Sequence, residues 1–115
     1  MAEDEGPTTL AEFEELVLLA VLRSAGEAYG APLQRELAER ANRSVSVSTI
    51  YVTLIRLEEK GLLTSRKGRP TAERGGKAKR LFEATPDGVE ALRVTRALRD
   101  RMWDGVELPD TAPER

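Results

Sequence analysis

A mainly helical fold with one small β-hairpin is predicted for this chain, with three helices ahead of the hairpin and one after it. Apolar residues recur at helical spacing in four separate stretches. Cap and stop residues punctuate those stretches, and between residues 62 and 84 the pattern turns strand-like on either side of a Gly-, Pro- and charge-rich segment.

The first helix is expected from about Leu10 to Ser24. Thr9 and Glu12 have capping-box spacing, Phe13, Leu16, Val17 and Ala20 follow at helical intervals, and Gly26 ends it. Between Leu16 and Leu22 it is apolar all round, which implies a second contact beyond its own core. A second helix, Ala31 to Ala41, opens with Pro32 in its first turn and turns Leu33, Leu37 and Ala41 inward. A third, capped by Ser46 or Ser48, runs to near Lys60, with Gly61 just past its end. Its inward side is Val47, Ile50, Leu54 and Leu57. Its outward side carries Ser48, Thr49, Val52, Arg56 and Glu59 in place of the Lys and Glu mixture of a solvated helix. The strands are Leu62 to Arg66 and Lys79 to Ala84, joined by a long basic loop. Thr85-Pro86-Asp87 starts a final helix, Pro86 to Asp104, whose stripe of Ala91, Leu92, Val94, Leu98 and Met102 is broad enough for two contacts.

One domain is expected from 115 residues. Leu, Val, Ile and Phe number 27, about 23%, above the roughly 20% below which a chain tends to stay disordered. Cysteine and histidine are both absent, so disulfides, thiolate nucleophiles, zinc fingers and histidine acid–base chemistry are excluded. No GxxxxGK[ST] or GxGxxG loop occurs. These absences point away from an enzyme and from any cofactor or metal. The acidic start MAEDEGPTT lacks the apolar run of a secretory signal, and the seven apolar residues from Leu16 to Leu22 are too few for a membrane helix, so a cytoplasmic protein without membrane contact is expected.

The net charge of −2 conceals an asymmetry. Residues 1–42 carry a net −6 and residues 83–115 a net −3, but residues 43–82 carry a net +7. Affinity for nucleic acid depends on local phosphate neutralisation, so an acidic chain with a basic middle is a credible binder. A solvated charged loop is the other reading of that cluster alone. Together, the order of elements, the polar third helix and the basic hairpin loop describe a winged helix-turn-helix plus C-terminal helix. In that arrangement the third helix fits the major groove and the loop reaches phosphates or the minor groove. The domain reading is a flexible acidic N-terminus at 1–9, the winged domain at 10–84, a dimerisation helix at 85–105 and a flexible tail at 106–115.

The stretches LAEFEELVLLAVLRSAGEAYGAPLQRELAER, SVSVSTIYVTLIRLEEKGLLTSR and GGKAKRLFEATPDGVEAL resemble the PadR family of bacterial transcriptional regulators, in its short form with a single C-terminal helix. The resemblance covers about residues 10–104 and implies a homodimeric repressor of double-stranded DNA, binding a pseudo-palindromic operator. Carried over by position, Ser46, Ser48, Thr49, Tyr51, Val52, Thr53 and Arg56 would lie on or beside the recognition helix. Arg66, Lys67, Arg69, Arg74, Lys77, Lys79 and Arg80 would lie on the wing. Tyr51 borders the core face, so packing and a phosphate contact both stay open; Tyr29 is read as a core or cap contact, or a backbone contact to DNA. Relatives often carry Pro at the Val52 position and an aromatic at the Leu81 position, so this chain departs from the pattern there. The resemblance further implies a C-terminal helix packed on the partner's first helix, with Leu16, Leu19, Leu92, Leu98, Met102 and Trp103 at the contact. Trp103, the only tryptophan, either fills that interface or stacks a small aromatic or cationic effector. A winged-helix protein-interaction module without specific DNA binding is the competing class.

Overall fold

The computed structural model describes residues 9–68 and 79–110. Three helices, α1 (Glu12–Arg23), α2 (Gly30–Ala41) and α3 (Val47–Glu59), precede an antiparallel hairpin of β1 (Leu63–Lys67) and β2 (Arg80–Ala84). The last helix, α4 (Pro86–Trp103), follows at once. This is the winged helix-turn-helix with a C-terminal helix that the sequence predicts.

The core lies where α1, α2, α3 and the inner hairpin face converge. Val17 and Leu18 of α1, Leu33 of α2 and Ile50, Leu54 and Leu57 of α3 are fully buried, and Leu62, Leu63, Phe82 and Ala91 close it on the hairpin side. Register follows from strand alternation. Leu63 pairs with Ala84, Ser65 with Phe82 and Lys67 with Arg80, so these share the core-side face, while Thr64 and Arg66 take the other. Phe82 N–H donates to the carbonyl of Ala28 at 3.0 Å, which stitches β2 to the α1–α2 connection.

The Thr-Pro-Asp-Gly sequence does more than start a helix. Thr85 Oγ1 accepts from Gly88 N–H at 3.0 Å as N-cap of α4 and donates to the Gly61 carbonyl at 2.7 Å, while Thr85 N–H donates to the Leu62 carbonyl. A Cβ on Gly88 would stand 2.2 Å from that same Leu62 oxygen, so only glycine lets α4 seat here.

Several boundaries differ from the sequence expectation. The α1 start is not a Thr9–Glu12 capping box: Thr9 lies outside the helix, and Glu14 Oε1 accepts from Ala11 N–H at 3.0 Å. The physical reason is tertiary, since Leu10 is buried and its N–H donates to Thr95 Oγ1 of α4 at 3.0 Å, holding residues 9 and 10 out of the helix. Ser46, not Ser48, caps α3, accepting from Thr49 N–H. Lys79 precedes β2, and Leu62 precedes β1.

Candidate nucleic-acid interface

The outward face of α3 forms because its inward face is satisfied. With Ile50, Leu54 and Leu57 buried at helical spacing, Ser48, Thr49, Val52 and Arg56 project away from the core and are exposed. Ser46 Oγ also donates to Thr49 Oγ1 at 3.0 Å, so these two hydroxyls act as one unit at the helix start. The α2–α3 turn is held by Gln34 Nε2, which donates to the Val45 carbonyl at 2.9 Å. Gly30 lets the two helices approach closely, since a Cβ there would meet Val47 Cγ1 at 2.8 Å.

Thr53, carried over from the resemblance as a DNA-contact position on or beside the recognition helix, is only 5% exposed and lies on the core side of α3. Tyr51 is half-buried, its ring edge-on to Phe82 with centroids 6.0 Å apart. The face also carries a residue that the sequence pattern did not single out. Ile55 is 50% exposed, beside Val52 at 54%.

The basic cluster divides into cations that hold the fold and cations left open. Lys60 Nζ donates to Glu14 Oε2 at 2.7 Å; Arg43 pairs with Glu12 and stands over the Phe13 ring. Arg80 donates to Ser65 Oγ, which in turn donates to Glu58 Oε2 at 2.9 Å, linking the wing strands to α3. Lys79 Nζ sits 4.6 Å from the centroid of the Tyr29 ring, a cation–π contact between the loop end of the hairpin and the start of α2. By contrast Arg56, Arg66 and Lys67 are exposed and make no ion pair among the described residues. The expected wing contacts Arg69, Arg74 and Lys77 lie outside the described residues.

Glu14 is buried, which pushes its carboxyl up. The Lys60 hydrogen bond, the Ala11 N–H and the charges of Lys60 and Arg56 more than offset this and hold it below the ordinary glutamate range.

A second exposed face lies on α4. Its first half is anchored through Gly88, Ala91 and Thr95, and Leu92 is half-buried against this chain's own core. Arg99 donates to Glu15 of α1 at 2.8 Å. Beyond Thr95 every residue of the helix is exposed, with Leu98 at 40%, Met102 at 71% and Trp103 at 59%. These three, with Thr9, Leu10, Thr95 and Arg99, line an open cleft of about 380 Å³. Leu16 is half-buried and Leu19 exposed on α1; together with Leu37 of α2 they line a smaller apolar cleft. Among the described residues there is no cluster of acidic side chains fit to hold a metal, and no helix is long and apolar enough to cross a membrane.

The family model of the PadR-like transcriptional regulators matches residues 18–94, from α1 to the middle of α4. The transcriptional regulator Rv3488 of Mycobacterium tuberculosis is 42% identical over 82 residues, covering 70% of this chain and 72% of that protein. Among solved structures, a PadR family transcriptional regulator from Eggerthella lenta is 30% identical with a TM-score of 0.61, over 78% of this chain and 76% of that one. Bacillus subtilis PadR in complex with operator DNA shares the fold at a TM-score of 0.58 and 21% identity, over 89% of this chain and 53% of that one. With the second half of α1, all of α2, α3 and the hairpin, and half of α4 inside the matched span, the chain belongs to the PadR-like family of transcriptional regulators and is a DNA-binding protein, not an enzyme.

Proposed function

We propose that this chain acts as a homodimeric repressor. It reads a pseudo-palindromic operator with α3 in the major groove and the cationic wing on neighbouring phosphates. The observation that carries the reading is the division of the basic cluster: Arg56, Arg66 and Lys67 stay open around a hydroxyl-bearing face while the neighbouring cations are tied into the fold. Recognition-helix readout by Ser48, Thr49, Val52 and Arg56, with Ser46 and Tyr51 at the margins, fits this face; Thr53 supports it from beneath.

The dimer reading rests on α4. A helix whose last two turns carry exposed Leu98, Met102 and Trp103 is supported as a subunit contact by the exposed Leu19 on α1. Two such heads would meet half-sites about one helical turn apart, roughly 34 to 36 Å. The cleft beside Trp103 suits a flat aromatic or cationic effector, which would act through unequal affinity for two arrangements of the dimer.

The test is fluorescence anisotropy of the full chain with duplex DNA from upstream of its own gene and with a scrambled duplex, at several salt concentrations, beside sedimentation at micromolar protein. The expected result is a dimer that prefers the native duplex with a steep salt dependence. A monomer with equal affinity for both duplexes would overturn it, and no binding at low salt would favour a protein-interaction module.

A further inference from the structure

We infer that Val52 and Ile55 form an apolar ledge on α3 that reads the 5-methyl groups of thymines at neighbouring base pairs. The inference rests on the DNA-reading role proposed above and names what that face selects.

Neither residue serves the core. Ile50, Thr53, Leu54 and Leu57 make up the buried side of α3, while Val52 and Ile55 stand half-exposed or more on the opposite side. Spaced three residues apart, they are neighbours on one helical face. A single exposed apolar side chain on a surface is ordinary; two β-branched ones side by side on the face of a DNA-binding helix are a patch of defined chemistry. Their surroundings select the occupant. Ser48 and Thr49 lie toward the start of the helix and Arg56 follows directly, so the ledge is flanked on α3 itself by hydroxyls and a positive charge. That frame suits a polyanion rather than an apolar protein surface.

The spacings of the two side chains and of the base pairs are of the same order. At 1.5 Å per residue the two side chains are offset by about 4.5 Å along the helix axis. Base pairs in a duplex are stacked about 3.4 Å apart. In the major groove only thymine offers a methyl group, and a cytosine amino group facing this ledge would lose its water without gaining a partner. Val and Ile are stiff at χ1, so little side-chain freedom is lost on contact. The reading is thus by burial of methyls, with no hydrogen bond from either residue.

The experiment selects duplexes from a random-sequence pool on the immobilised full-length chain, then measures affinity for the enriched duplex with individual thymines replaced by uracil. That swap removes the methyl and leaves the base-pairing edges unchanged. Binding is expected to weaken about fourfold for each of two neighbouring thymines, the scale of one buried methyl group. A variant with Val52→Ala and Ile55→Ala, matching the parent in melting temperature, is expected to lose this uracil sensitivity and keep the parent's salt slope. Enrichment of a defined sequence without uracil sensitivity, or sensitivity unchanged in the variant, would overturn the ledge and leave the DNA-reading role standing. Failure to enrich any sequence would remove both.

Discussion

The uncovered faces of α3 and α4 differ in chemistry and in anchorage. α3 is rooted along its length by Ile50, Leu54 and Leu57, all fully buried, so its polar and β-branched outer face is held rigidly by the body of the domain. α4 buries residues only in its first half, at Gly88, Ala91 and Thr95 beyond the Thr85 cap, and past them it is held to α1 by the Arg99–Glu15 hydrogen bond while Leu98, Met102 and Trp103 stay unburied. A face fixed on all sides suits reading a surface of fixed shape, since little freedom remains to be lost on contact. A half-anchored apolar helix gains its remaining burial from a second chain, which ties the proposed dimer to the same residues that leave the helix exposed. The two faces therefore predict different failures when their roots and their tips are changed.

The largest effect is expected at the root of α3. Leu54→Ala removes a fully buried side chain and is expected to destabilise the chain by about 2–5 kcal/mol, with DNA affinity falling only as the folded fraction falls. Thermal unfolding followed by circular dichroism reads the first part and anisotropy below the transition the second. At the root of α4, Gly88→Ala drives a Cβ against the Leu62 carbonyl, an overpacking expected to cost about 1–3 kcal/mol. Because Gly88 seats α4, this variant is expected to weaken self-association as well. A Gly88→Ala chain that melts and sediments like the parent would break the claim that α4 is fixed at this point.

The tips separate the faces more cleanly. Arg66→Gln with Lys67→Gln removes two open cations from β1 and is expected to lower the salt slope of DNA binding by about 2, with stability changed by less than about 0.5 kcal/mol. Met102→Ser with Trp103→Ser is expected to shift sedimentation toward monomer while the far-ultraviolet spectrum stays that of the parent. If the α3-side pair altered self-association and the α4-side pair altered only DNA binding at saturating dimer, the division of labour drawn here would be reversed.

Most of this fold was legible because it is written in local pattern: cap residues, prolines at helix starts and the spacing of Ile50, Leu54 and Leu57. The misses on α3 share a cause. Thr53 lies only about 40° from Leu57 around the helix, and Ile55 about 20° from Ser48, so angle alone assigns the first inward and the second outward. Thr53 enters with the positions carried over from the family resemblance and Ile55 is assigned to neither side, so the angle is applied to neither residue. The start of α1 failed for a different reason. Thr9 and Glu12 have the right spacing, but the chain there is held by a hydrogen bond from Leu10 to Thr95, a partner no local pattern contains. The sorting of the basic cluster was equally out of reach, because whether Lys60, Lys79 or Arg80 is free depends on Glu14, Tyr29 and Ser65 arriving beside them.

The smallest expected effect concerns the joint between α1 and the end of α3, where Glu14 takes Lys60. Burial works against the Glu14 carboxylate, and the Lys60 ammonium, the Ala11 N–H and the Arg56 charge outweigh it, so its folded-state pKa lies below its unfolded one. A group depressed in this way contributes stability that is complete above the ordinary glutamate pKa of about 4.3 and is lost as pH falls through the folded value. Glu14→Gln keeps an oxygen that can accept from Ala11 N–H but gives up the charge. It is therefore expected to be less stable than the parent at neutral pH by about 1 kcal/mol, the upper end for a pair whose lysine is half in water. The gap between parent and variant is expected to close as the pH is lowered from 7 toward 3, because the parent loses the interaction that the variant never had. A gap that stays constant over that range would assign the Glu14 contribution to packing and the backbone hydrogen bond instead. The α3 face would then owe its fixed position to the buried leucines, Ile50 and the Ser65–Glu58 hydrogen bond rather than to the ion pair.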